Sequence, residues 1–127
     1  MTQRTLQFDA IDRVILFGGA PLLVELVTDL RKKGGLEVVV YTAPRQAKDP
    51  VDAKGTSLAD ALTALKQPFT VSEDINAEAG LAAQITPTTL GLGLGEAWSF
   101  SPAIIAKFGG RLLDFMGIPH PRYRGGA

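Results

Sequence analysis

Residues Arg13–Tyr41 read RVILFGGAPLLVELVTDLRKKGGLEVVVY, and the fold is decided there. Arg13-Val-Ile-Leu-Phe17 is a short apolar run halted by Gly18-Gly19, the mark of a strand buried on both faces. From Ala20 to Lys33 the pattern changes, with Leu22, Leu23, Leu26, Val27 and Leu30 recurring at helical spacing. Pro21 suits a first helical turn, and Arg31, Lys32 and Lys33 suit the negative end of the helix dipole. Gly34-Gly35 stops the helix. Leu36-Glu-Val-Val-Val-Tyr41 then supplies a second strand rich in β-branched residues. A strand, a helix and a strand joined by short glycine turns make a right-handed parallel crossover.

The rest of the chain continues the alternation. Thr42 to Gly55, with two prolines and five charged residues, reads as a surface loop. Ser57 is a helix N-cap with Asp60 three residues on, for a helix to about Lys66. Pro68 to Ser72 is a short third strand, and Asp74 caps a helix over Ile75 to Ile85. Thr88 to Gly95 is a fourth strand, Ser101-Pro102 opens a helix over Ala103 to Phe108, and Arg111 to Met116 is a fifth strand. This alternation predicts one α/β domain over residues 1–127, with an open, mostly parallel sheet covered by helices on both faces.

Composition narrows the chemistry. The 127 residues are 46% hydrophobic and 20% charged, the balance of a globular chain. Thirteen Lys+Arg offset thirteen Asp+Glu, so no general field draws the chain to nucleic acid or an anionic membrane. With no cysteine, thiol catalysis, disulfides and thiolate metal sites are excluded; with a single histidine, His120, so is a multi-histidine metal site. No apolar run nears the ~20 residues that span a bilayer, and no signal-peptide core follows Met1. The expected location is cytoplasmic.

In open α/β sheets ligands bind beyond the carboxyl ends of the strands. That places interest on Gly18-Gly19-Ala20, Thr42-Ala43-Pro44-Arg45, Gly95-Glu-Ala-Trp98 and the tail. The Gly18-Gly19 turn either lets a ligand approach the backbone or is a tight strand-to-helix turn. It lacks the GxGxxG spacing, and Tyr41-Thr42 stands where a nicotinamide enzyme carries an acid, which argues against a dinucleotide site. Gly91, Gly93 and Gly95 alternate with Leu90, Leu92 and Leu94, giving a strand with one leucine face and one glycine face that a helix or ligand approaches closely. Trp98 and Phe100 either wall a planar ligand or plug the core, and Glu96 adds a polar group to the same loop. His120, Arg122, Tyr123 and Arg124 gather on a proline-glycine loop suited to a phosphate or carboxylate.

Several of these stretches carry a family resemblance. Val14-Ile-Leu-Phe-Gly-Gly-Ala-Pro21, Glu37-Val-Val-Val-Tyr-Thr-Ala-Pro44, the run from Gly95 to Leu113, and Pro121-Arg-Tyr-Arg-Gly125 resemble the catalytic domain of methionyl-tRNA and sugar N-formyltransferases. The resemblance implies a Rossmann-like sheet and 10-formyltetrahydrofolate as the formyl donor, with an amine substrate attacking the formyl carbon. The family's Asn-x-His motif, helped by a later Asp, serves the oxyanion and moves protons. Counted back from Tyr123-Arg124-Gly125, the Asn position holds Asp114 and the His position Met116. A carboxylate has no proton to donate, and a thioether cannot shuttle one.

The resemblance thus implies Asp114 and His120 as the remaining catalytic candidates. Gly95, Glu96, Trp98 and Phe100 would hold the folate, and Arg122, Tyr123 and Arg124 the substrate. The chain is expected to be the front portion of the family's domain, weak or inactive alone, with an unpaired sheet edge covered by a second copy or by a missing portion. The alternative is a non-catalytic module binding a folate or a nucleotide-sugar on the same scaffold.

Overall fold

The computed structural model describes residues 11–95 and 100–114. Five strands form one sheet in the order β3-β2-β1-β4-β5, every neighbouring pair parallel. β1 (Arg13–Gly18) lies at the centre, between β2 (Glu37–Thr42) and β4 (Thr89–Leu94). β3 (Thr70–Val71) and β5 (Leu112–Asp114) are the short outer strands. The expected open, parallel α/β sheet is the observed architecture.

Side-chain alternation along the strands divides the core in two. On one face Val14, Leu16, Val40, Leu90, Leu92 and Leu94 pack with Leu23 and Val27 of α1 (Ala20–Lys33) and Leu58 and Leu62 of α3 (Leu58–Ala64). On the other, Ile15, Phe17 and Tyr41 pack with Leu81 of α4 (Ala79–Gln84) and with Ile104 and Phe108 of α5 (Pro102–Phe108). Phe17 is the hub of this second face. It stacks on Tyr41 at 5.9 Å and meets Phe100 and Phe108 edge-on at 4.9 and 6.1 Å.

The helix ends follow the sequence signals closely. α1 begins after Gly19 without a side-chain cap, and it ends with Arg31, Lys32 and Lys33 before Gly34 at φ 71. Ser57 Oγ accepts from the Asp60 amide at 3.1 Å, and Ser101 Oγ from the Ile104 amide at 3.3 Å. Gly109 closes α5 in the left-handed conformation.

Three expected elements differ from those observed. The stretch after β2, read as a surface loop, contains α2 (Pro44–Lys48), started by a proline with its fixed φ in the first turn. The helix expected over Ile75 to Ile85 is a 3-10 turn, Ile75–Ala77, followed by the six-residue α4; Glu78, in an extended conformation, separates them. The third strand shrinks to Thr70–Val71, and Phe69 just before it packs, partly buried, against the core of the α1/α3 face. The fifth strand is present as Leu112–Asp114, within the expected Arg111 to Met116; Phe115 and Met116 lie outside the described residues.

Candidate functional site

The two edges of the sheet differ in how their polar groups are used. At the amino edge the polar groups hold structure. Arg13 pairs with Glu37 at 2.9 Å and donates to the Gln84 carbonyl at 2.7 Å. Arg111 donates to the carbonyls of Thr89 and Thr86 at 2.9 and 3.0 Å. Thr88 Oγ1 donates to Asp12 Oδ1 at 2.8 Å.

At the carboxyl edge the backbone turns sharply and the polar groups are not all satisfied. β1 leaves the sheet through Gly18 at φ 121 and Ala20 at φ 78; the second is a left-handed backbone that an alanine adopts only under constraint. The Gly19 amide donates to the Leu94 carbonyl at 3.2 Å, tying the ends of β1 and β4 together. These two strands flank the switch point, where the order of connection reverses and where doubly wound sheets open a crevice. Gln46 of α2 reaches across it. Its Nε2 donates to the Gly95 carbonyl at 2.8 Å, and its side chain lies so close over Gly19 that a Cβ there would sit 3.2 Å from Gln46 Cβ.

Among the described residues, two buried side-chain polar atoms lack a hydrogen-bond partner: Thr42 Oγ1 and Gln46 Oε1. Both belong to this edge. Thr42 is the last residue of β2 and fully buried, one position beyond the pairing of Phe17 with Tyr41. Buried polar groups are nearly always satisfied, so two orphans at one edge mark a place where a partner is wanting.

The residues expected to form the site fare unequally. Gly95 sits at the crevice, exposed, at φ 67. The backbone of Asp114 stands at the carboxyl end of β5 opposite Gly93, so Asp114 and Gly95 occupy neighbouring strand ends. Phe100 is 6% exposed, its ring edge-on to Phe17 in the core, which is the core-plug reading of that residue rather than the ligand wall. Glu96, Trp98, His120, Arg122, Tyr123 and Arg124 lie outside the described residues, so their arrangement is not part of this geometry.

Gln46 escaped the sequence reading because the charges of its segment suggested a surface loop; Pro44, set to start a helix directly after a strand end, was the available signal.

Two other features bear on function. Tyr41 donates its hydroxyl to Gln84 Oε1 at 2.8 Å, and burial, followed by the Glu78 carboxylate, raises its pKa above the ordinary value of 10.0. A groove of about 720 Å³ runs beside α1 over β4 and β5, floored by Val14, Leu90, Leu92 and Leu113. Lys33 is the one charged side chain in its otherwise apolar lining, so it suits packing rather than chemistry.

Among the described residues no group of three or more His, Asp or Glu is placed to hold a metal ion, and no helix is long and apolar enough to cross a membrane. No family model, curated protein or solved structure matches the chain.

Proposed function

We propose that this chain is a formyltransferase-type domain that takes a reduced folate at the carboxyl edge of its sheet, near Gly95 and the loop carrying Glu96 and Trp98. The observation that supports the reading is that both orphaned polar atoms lie at that edge, while the amino-edge arginines are spent on structure. The sequence resemblance, from Gly95 to Leu113 and at Pro121 to Gly125, supplies the ligand class.

In formyl transfer the amine nitrogen bonds to the formyl carbon and loses a proton, while the carbon–nitrogen bond to the folate breaks and that nitrogen gains one. Asp114, as a carboxylate, can orient the amine or accept its proton but cannot donate to the oxyanion. Proton donation falls to His120, with Arg122, Tyr123 and Arg124 holding the anionic part of the substrate. Met116 offers no proton, so turnover by this chain alone is weak or absent. A cytoplasmic setting fits this reading.

Calorimetry with 5-formyltetrahydrofolate, the stable isomer, should give measurable heat, and Trp98→Ala should weaken binding about tenfold through loss of ring stacking. Transfer from 10-formyltetrahydrofolate to an amino sugar should stay near background. Absence of folate binding overturns the reading, and turnover at ordinary enzyme rates of ~1–10³ per second overturns the weak-activity part of it. The substitutions at Asp114 and Met116 favour one second reading, a non-catalytic nucleotide-sugar module, which heat from a nucleotide-sugar without heat from the folate would select.

A further inference from the structure

Gln46 is held in one orientation. Its Nε2 donates to the Gly95 carbonyl at 2.8 Å, and a flipped amide would set Oε1 against that carbonyl, acceptor to acceptor. The Oε1 atom is therefore a fixed acceptor, buried and without a partner, on a side chain that spans the crevice between the ends of β1 and β4. Gly19 makes room for that side chain. The second orphan, Thr42 Oγ1, belongs to the strand just before α2.

We propose that Gln46 is a specificity-determining residue of the carboxyl-edge site, whose side-chain carbonyl accepts a hydrogen bond from an N–H group on the edge of a planar heterocyclic ligand. The inference rests on the proposed ligand site and adds the chemistry that the site reads. A carbonyl oxygen cannot donate, so it gains nothing from a phosphate or carboxylate oxygen and repels it. An amide or amino edge, as found on pterins and pyrimidines, supplies the missing donor. Binding such an edge completes a buried polar group that the ligand-free protein leaves unsatisfied.

The test is calorimetry and thermal melting of the wild-type chain, Gln46→Met and Gly19→Ala, with three probes: 5-formyltetrahydrofolate, a uridine nucleotide-sugar and inorganic phosphate. Methionine keeps the length of the side chain and removes both the acceptor and the Nε2 bond to the exposed Gly95 carbonyl. Alanine at Gly19 keeps the amide and crowds it from its place. Both variants should lose about tenfold in affinity for the N–H-bearing probe that the wild type binds, with the ligand-free melting temperature of Gln46→Met nearly unchanged, because removal of the orphaned buried oxygen offsets loss of the bond to Gly95.

If the wild type binds the nucleotide-sugar and not the folate, and Gln46→Met loses that binding, the role of Gln46 stands and the folate reading falls. If the wild type binds the folate and Gln46→Met binds it equally well, the role of Gln46 falls and the folate reading stands. A lowered melting temperature with unchanged affinity makes Gln46 a structural clamp and overturns the inference. So does tighter binding of phosphate than of either heterocycle, or no binding of any probe.

Discussion

Tyr41 shows how one side chain can be legible in type and illegible in use. Its place at the end of an apolar run marked it as a strand residue, and it is one, but nothing local announced that its hydroxyl would meet Gln84, 43 positions later. The same holds for Gln46, whose partner Gly95 is 49 positions away. Phe100 was legible only as a choice between core and ligand, and its contact with Phe17 puts it in the core. The hydrogen bond of Tyr41 gives a prediction with a sign. Its raised pKa means that the stabilisation is full below the ordinary value of 10.0 and is lost as pH rises through the higher folded value. Tyr41→Phe should cost about 0.5–1.5 kcal/mol at pH 7, and urea unfolding should show this deficit shrinking over the interval above pH 10.0. A deficit constant over that interval would contradict the assignment.

At the level of elements, β4 repays attention. Its alternation of leucine and glycine was read as one apolar face and one face open to close approach, and Phe108 of α5 is what approaches at Gly91. A Cβ on Gly91 would lie 2.7 Å from the Phe108 ring and 2.9 Å from Leu112. Since Phe108 is fully buried and cannot retreat, Gly91→Ala should cost about 1–3 kcal/mol in denaturant unfolding. Gly80, inside α4 with nothing within 4 Å of its added Cβ, makes the contrast, and Gly80→Ala should gain roughly 0.5–1 kcal/mol. Equal effects at the two glycines would show that packing against α5 does not set the requirement at Gly91. Long periodic elements such as α1 were plain in the sequence, whereas α2 and the broken turn at Glu78 were not, because five or six residues carry too little periodicity to outweigh prolines and charges.

Across the molecule, the parallel sheet and its two helical layers followed from alternation of elements alone, while the exposed apolar surface followed from strand order. The groove over β4 and β5 ends at Leu113, 46% exposed on an outer strand. An apolar surface beside an outer strand promotes association. Leu113→Lys should therefore lower binding of a hydrophobic dye and shift light scattering toward monomer at high concentration, with the melting temperature nearly unchanged. Unaltered dye binding would mean that the groove is covered in solution.

The central place of β1 also governs the birth of the molecule on the ribosome. β1 and β2 are made before β4, and β1 cannot gain its second neighbour until Leu94 has emerged, some eighty residues after β1 itself began. Until then the nascent chain carries half of its central strand bare, with Ile15 and Phe17 awaiting the helices that bury them. Pairings so distant along the chain fold slowly and leave intermediates prone to clump. Synthesis must therefore carry this chain through a vulnerable interval, during which a chaperone able to hold exposed strands would raise the yield of folded product.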